Sequence, residues 1–389
     1  MNGNPVLDLI GRRLRIAFVG GGSSAMIGPV HRLAARLDDR YETVAAVLSA
    51  DGAKSLAEGA ALGIPRPYAD LAAMLAGEAG RSDRPDAIAI ATPNDLHRAQ
   101  AVACLDAGYH VICDKPLANG STDARAIVEA VARTGREFVL LHNYSGYPMV
   151  REARAALAAG ELGKLHLARV AYLQGSLGGR VEDDPASMPD RLRWRLDPAR
   201  GGSHVMADIG THAHQLLTYV TGRRVEAVQA DVGASFADRT ADDTASAVLR
   251  LEGGLRGSFL ATKAATGAEN AITIEVYGEK GGLVWEHASA NFLKVMRNAA
   301  PAETRSRGLA SLHPLARRAS RISAGHHEGF FEAFANLFGD FAEIVAARIA
   351  GKPPEPLARH IPTAQDGLDG MLFVEACLAS SAAGGWTRC

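Results

Sequence analysis

A chain of 389 residues is too long for one small core, and its length favours two domains. With 47% of residues apolar and 22% charged, the composition is that of a folded protein, not a disordered one. A formal net charge of -1 supplies no field to attract nucleic acid or an anionic membrane, so neither is an expected partner, and a neutral cytoplasmic protein acting on small molecules is expected.

Cys104, Cys113, Cys377 and Cys389 are scattered, with no C-x-x-C pair, so reduced thiols and no metal site are expected. Arg12-Arg13 before an apolar run has the outline of an export signal. That run, Leu14 to Val19, is short, interrupted by charge and followed by glycines, so it reads as a first strand. No stretch reaches the ~18–20 apolar residues of a membrane helix.

The first third alternates short apolar runs with helical periodicity, the mark of repeated strand–helix–strand units. The strand Leu14 to Val19 breaks at Gly20-Gly21-Gly22-Ser23-Ser24, after which Ile27, Val30, Leu33 and Leu37 recur at helical spacing. Thr43 to Leu48 predicts a second strand and Ala53 to Leu62 a second helix. Asp86 to Ala91 predicts another strand, ending in Thr92-Pro93-Asn94; His110 to Cys113 the next, ending in Asp114-Lys115-Pro116; and Phe138 to Leu141 the last. The spacing predicts an α/β fold whose first domain, 14–142, is a doubly wound parallel sheet.

From about Asn143 the pattern changes. A helix over Val150 to Ala159 precedes strand-like stretches at Leu165 to Tyr172, Val225 to Val232, Thr244 to Leu251, Leu255 to Thr262 and Ala271 to Tyr277. Hairpin turns at Glu252-Gly253-Gly254 and Gly278-Glu279-Lys280-Gly281 predict a mostly antiparallel sheet in an α+β domain over 143–389. Pro301 to Ser323, basic and poor in large apolar residues, reads as a long exposed loop, and helices over 329–350 and 364–379 finish the chain.

Three motifs carry chemistry. Gly20-x-Gly22-x-x-Ala25 fits the dinucleotide fingerprint, in which backbone approaches a pyrophosphate at a helix N-terminus; a second parse lengthens the loop and takes Gly28 as third glycine. Gly20, Gly22, Ser23 and Ser24 are therefore cofactor-binding candidates. Where the fingerprint expects an acid for the ribose, the chain has Ser49, with Asp51 reading as a helix cap and Lys54 as a partner for a 2′-phosphate, so NAD and NADP both remain open. Lys115, at the end of a strand, faces the edge where such sheets bind ligands and is suited to stabilising charge on a substrate oxygen. Asp208 and His212, four apart, share a face if the segment is an α-helix; a carboxylate beside an imidazole suits a general base, while the alternative is a cap and a core histidine. His214, two residues on, points elsewhere and makes no metal pair.

These residues, with His31, resemble in order and spacing the Gfo/Idh/MocA oxidoreductases, from about Leu14 to Trp386. The resemblance implies a Rossmann domain followed by a domain with a large open sheet whose exposed face forms homodimers or homotetramers. It implies Lys115, Asp208 and His212 as catalytic residues, and Thr92, Pro93, Asn94, His97 and Asp114 as further cofactor-binding positions. The chain departs from the family in having D-K-P where E-K-P is usual, a longer glycine loop, and Ser49 in place of the acid. Trp194-Arg195 and the stretch around His326 resemble the glucose–fructose oxidoreductase branch and are expected, with Tyr144 and Tyr147, to line a substrate pocket.

The expected reaction is hydride transfer between NAD(P) and a hydroxyl of a sugar, sugar derivative or cyclitol. His212 takes the hydroxyl proton and Lys115 stabilises the oxygen. The family also contains redox-neutral NAD-dependent glycosidases, and the fold also hosts a non-catalytic dinucleotide-binding regulator; both stand as rivals.

Overall fold

The computed structural model describes residues 3–23, 25–183 and 203–389. The chain forms two compact units that interleave in sequence. The first takes the chain as far as Ala118, then Thr122–Gly146 and Phe330–Gly367, and the second takes the described residues of Asn119–Ser121, Tyr147–Gly329 and Leu368–Cys389.

In the first unit six strands lie parallel in the order β3-β2-β1-β4-β5-β6: β1 (Leu14–Gly20), β2 (Tyr41–Val47), β3 (Arg66–Pro67), β4 (Ala87–Ala91), β5 (His110–Asp114) and β6 (Phe138–Leu141). Ala and Ile alternate along β4 with all five residues buried, as a strand covered on both faces requires. The strand order reverses between β1 and β4, which puts the ligand crevice of a doubly wound sheet at their carboxyl ends. Asp51 caps the helix Gly52–Ala61 by accepting from the Lys54 amide, as its position before that helix predicts.

The helix Phe330–Ile349 belongs to this unit, although the sequence reading placed it in a domain over 143–389. It is buried without a break from Ala333 to Ala347, so it is covered on every side, with Asn336, Asp340 and Glu343 as buried polar residues along one face. Phe334, Phe338 and Phe341 enter one core with Ile16, Phe18, Ala34 and Tyr41, and each buried ring contributes about 2–3 kcal/mol. Polar ties fix its position: the Tyr41 hydroxyl donates to the Phe338 carbonyl at 2.7 Å, and Arg40 donates to Gly339 O at 2.6 Å and to Glu343 at 2.7 Å. Small motifs escaped the sequence reading in the same unit, among them the helices Pro5–Ile10 and Leu71–Glu78 and the two-residue β3.

The second unit has a nine-stranded sheet in the order β14-β13-β12-β11-β7-β10-β9-β8-β15. Its strands are β7 (Leu165–Leu173), β8 (Val225–Gly233), β9 (Thr244–Leu251), β10 (Leu255–Thr262), β11 (Ala271–Gly278), β12 (Gly281–Glu286), β13 (Phe292–Met296), β14 (Glu303–Ser306) and β15 (Thr387–Arg388). Every pairing is antiparallel except that of β7 with β10. The β9–β10 hairpin turns through Gly253 and Gly254, whose φ values of 74° and 77° are strained for any residue with a side chain. Strict alternation of burial along β9 shows one covered face and one open face.

The stretch 301–323 is not the exposed loop that its composition suggested. It contributes β14 and a short helix, Pro314–Arg317, and buries Leu312, Leu315, Ala316 and Ala319. Two of its arginines are neutralised internally: Arg305 pairs with Glu152 and Glu161, and buried Arg307 pairs with buried Glu328 at 2.7 Å. Among the described residues no helix is long and apolar enough to cross a membrane.

Candidate active site

Four loops at the carboxyl edge of the first sheet, after β1, β2, β4 and β5, hold the cofactor candidates. After β1 the backbone turns through Gly20, at φ 81°, so tightly that a Cβ there would lie 2.6 Å from the Ala91 carbonyl oxygen. A Cβ on Gly22 would lie 2.6 Å from Leu48 O, and one on Gly28 only 1.9 Å from Gly21 O. The close approach of helix to turn therefore falls on Gly28, which favours the lengthened parse over the one ending at Ala25; the helix itself begins at Ile27. Ser24 lies outside the described residues.

Ser23 donates to Glu58 through its hydroxyl at 2.7 Å and its amide at 3.2 Å, and these bonds hold the Glu58 carboxyl below the usual carboxylate range. Lys54 lies 3.8 Å from the same carboxylate. At the end of β2, the Ser49 hydroxyl accepts from the Asp51 amide at 3.1 Å. His31 is a core residue, buried against Phe334 and Phe338, and burial lowers its pKa.

The loops after β4 and β5 are joined by His97. Its buried ring places Nδ1 2.8 Å from Pro116 O and Nε2 3.0 Å from Thr92 O. Both neighbours are acceptors, so a neutral ring satisfies one and only the doubly protonated ring satisfies both. Its two nitrogens thus reach backbone on either side, which makes His97 a clip between the Thr92-Pro93-Asn94 and Asp114-Lys115-Pro116 segments. Thr92 donates to Gln100 at 2.7 Å, and Asn94 opens a short 3-10 turn. Asp114 accepts from the Lys115 amide at 2.9 Å, and Lys115 itself is half-buried.

The second unit holds the other catalytic candidates. Met206–Gly210 is wound as a π-helix that leads into the α-helix Thr211–Thr221, so Asp208 and His212 are not spaced on a plain α-helical face. The Asp208 carboxylate receives the Nζ of Lys263, a lysine 4% exposed that directly follows β10. Lys263 Nζ also lies 3.1 Å from His204 Nε2. Buried His212 faces Tyr172, the ring centroids 6.2 Å apart. The Tyr172 hydroxyl donates to Asn270 at 2.6 Å, and Gln174 donates to the same oxygen at 2.8 Å. His287 stands between Tyr147 and Asn270, with Nε2 2.9 Å from the Tyr147 hydroxyl and Nδ1 3.1 Å from the Asn270 carbonyl; burial lowers its pKa. His214 is a core residue stacked on Phe373, and burial pushes its pKa down to about 4.

Of the substrate candidates, Trp194 and Arg195 lie outside the described residues. His326 is exposed, on a segment that Arg307 ties down through the carbonyls of Ile322, Ser323 and His326. Tyr144 is buried in the turn Asn143–Gly146 of the first unit. Lys263, His204, Asn270 and His287 escaped the sequence reading. The one local sign of Lys263 was a lysine at the end of an apolar strand run. No group of three or more His, Cys, Asp or Glu residues among the described residues is arranged to hold a metal.

Comparison with known proteins gives two family matches. Residues 14–142 match the model of an oxidoreductase family with an NAD-binding Rossmann fold, and residues 150–284 match the GFO/IDH/MocA C-terminal domain. The fold is similar to an oxidoreductase from Sinorhizobium meliloti, 38% identical, with a TM-score of 0.87 over 96% of this chain and 99% of that one. It is also similar to an inositol dehydrogenase homolog from Azotobacter vinelandii complexed with NAD+, 32% identical, with a TM-score of 0.91 over 98% of each chain. A further structure of that homolog holds NADH and myo-inositol, with 32% identity and a TM-score of 0.88 over 98% of each chain. Levoglucosan dehydrogenase from Pseudarthrobacter phenanthrenivorans is 30% identical over 238 residues, 55% of this chain and 59% of its own length.

Proposed function

Because this chain belongs to the Gfo/Idh/MocA family of NAD-binding oxidoreductases, whose relatives include sugar and cyclitol dehydrogenases, we propose that it oxidises a ring hydroxyl of a cyclitol or cyclic sugar with NAD. The observation that carries this reading is the glycine cradle at the reversal of strand order, one strand away from Lys115. Side chains at Gly20, Gly22 and Gly28 would strike the chain's own backbone within 2.6 Å, so only glycine lets the turn fold this tightly between the strand ends and the following helix, the geometry of a dinucleotide-binding turn. Gly20, Gly22, Ser23, Ser49, Thr92 and Asn94 would hold the dinucleotide. Once bound, its nicotinamide supplies hydride chemistry.

Two features support NAD over NADP. The Glu58 carboxylate stands against the turn and opposes a 2′-phosphate, and Lys54, the cation that would pair with such a phosphate, has Glu58 beside it. A cyclitol or cyclic sugar is supported by the solved relatives that hold myo-inositol and levoglucosan.

The protein's own groups divide the rest of the work. Lys115 supplies an ammonium, a donor with no acceptor capacity, to stabilise negative charge on the reacting oxygen. His212 accepts the hydroxyl proton, and Asp208 contributes a fixed carboxylate beside the histidine's helix. Exposed apolar residues on the strands of the nine-stranded sheet, among them Val248 at 55% and Leu167 at 43%, support a homo-oligomer. Nicotinamide absorbance, followed with NAD and with NADP across cyclitols, anhydrosugars and aldoses, tests the reading. Turnover with NAD and a cyclic polyol is expected; turnover only with NADP, or only with open-chain substrates, overturns it.

A further inference from the structure

We infer that Lys263 is a positioning residue for the reaction, acting through Asp208: it holds that carboxylate as an anion and fixes its direction. The inference rests on the reading of Asp208 as part of the catalytic machinery.

The geometry lies wholly within the second unit. Lys263 is buried, and its backbone is gripped on both sides: its amide donates to Asp243 O at 2.8 Å, and its carbonyl accepts from the Leu177 amide at 2.8 Å. The side chain therefore starts from a fixed point. Its Nζ reaches the Asp208 carboxylate and His204 Nε2, the latter at 3.1 Å. An ammonium donates three bonds and accepts none, so His204 Nε2 is the acceptor and His204 is a neutral ring carrying its proton on Nδ1.

His204 is itself placed by a neighbour. Asp242 accepts from the Ser203 hydroxyl at 2.6 Å, from the His204 amide at 2.7 Å and from the Val205 amide at 3.1 Å, capping the helix start that leads into the π-turn. Asp208, Lys263 and His204 form one polar cluster in which the Lys263 ammonium meets the Asp208 carboxylate.

A cation this deeply buried is costly unless it is paired, and most side chains at the end of β10 would pack there without that cost. Its presence is explained by what it does to Asp208. A carboxylate whose side chain is only 17% exposed tends to take up a proton, whereas one in contact with an ammonium stays ionised. Lys263 also compensates the charge of Asp208, so the carboxylate is one half of an ion pair rather than an isolated anion. This differs from the carboxylate–imidazole pair that a four-residue spacing suggests.

The test compares wild type, Asp208→Asn, Lys263→Met and the double variant, with NAD and myo-inositol as probes and with infrared spectra of the unliganded proteins. At neutral pH, Lys263→Met is expected to show the carbonyl band of a protonated carboxylic acid, absent from wild type and from the double variant. Its kcat should fall by about 10²-fold with KM within about threefold, the signature of misplacement rather than lost binding. The double variant should be no slower than Asp208→Asn alone.

Losses that multiply in the double variant, or wild-type kcat in Lys263→Met without the band, overturn the inference. Wild-type turnover in Asp208→Asn instead overturns the catalytic reading of Asp208, while the infrared band still decides whether Lys263 holds its charge. Should Lys263→Met not fold, Lys263→Arg keeps the charge and moves the donors. It is expected to lose kcat without gaining the band, and wild-type kcat in that variant overturns the positioning role.

Discussion

Replacing Gly28 by alanine tests the glycine cradle with a single methyl group. The added Cβ would stand 1.9 Å from Gly21 O, 2.3 Å from Gly21 Cα and 2.4 Å from Gly21 C, against a floor of 3.0 Å for real Cβ contacts. The shortfall is 1.1 Å at the oxygen (3.0 less 1.9), and the obstacle is backbone, which cannot swing aside as a side-chain tip can. The turn must therefore move by about 1 Å, more than the ~0.5 Å range of distances over which an N–H···O bond stays good. Each charge-assisted bond to a pyrophosphate that is lost costs about 1.5–3 kcal/mol, so NADH should bind at least ~10-fold more weakly. The fold should survive, since overpacking costs about 1–3 kcal/mol and alanine regains up to about 1 kcal/mol inside a helix. Calorimetric titration with NADH gives Kd, and circular dichroism monitors folding. Gly233→Ala, where a Cβ meets nothing within 4 Å, is the control. A Gly28→Ala protein that melts like wild type and binds NADH within about twofold of its affinity would refute the reasoning.

Lys115→Met should lower kcat by about 10²–10³-fold while NADH affinity holds, and stopped-flow turnover near the wild-type rate would remove Lys115 from the mechanism. His214 links stability to pH: its pKa is about 4 in the folded protein against 6.5 ordinarily, so the neutral ring's stability is whole above pH 6.5 and is lost as pH falls through 4. The loss approaches about 3 kcal/mol, and His214→Phe should flatten the fall in Tm between pH 7 and 5; an unchanged slope counts against it. His110, which burial likewise pushes down to about 4, keeps part of that slope in the variant. Arg307→Met leaves Glu328 buried without its main cation and should cost about 3–5 kcal/mol, visible as a large drop in Tm, while Arg307→Met with Glu328→Gln should recover much of it.

What could be read from the sequence was local. Apolar runs such as Leu14 to Val19, and the Asp51 cap three residues before the amide it receives, are decided within a few positions, and they are found where periodicity puts them. The choice of Gly28 over Ala25 was not local, because it depends on how closely the helix Ile27–Leu37 packs on Gly21. Lys263 meets Asp208 across 55 positions, and no spacing rule links the end of one strand to a distant helical turn. The α-helical face assumed for Asp208 and His212 failed because one turn is wound as a π-helix, which residue pattern does not announce. Composition misread 301–323 because it counts arginines and cannot see the carboxylates paired with them. The pattern showed Phe330–Ile349 to be a helix, while the core it fills was set by tertiary packing.

That helix also has a consequence for biosynthesis. The six strands of the first sheet are all made once Leu141 has been added, yet the layer holding Phe334, Phe338 and Phe341 is still to be translated. At ~5–20 residues per second, the roughly 225 residues from there to Gly367 take about 10–45 s. During that interval Ile16, Phe18 and Tyr41 lack the rings that cover them in the finished protein, so the nascent nucleotide-binding half leaves apolar surface uncovered until the helix arrives. The same arithmetic makes a fragment ending near residue 142 prone to aggregation, whereas a fragment joined to 330–367 through a short linker carries its own cover.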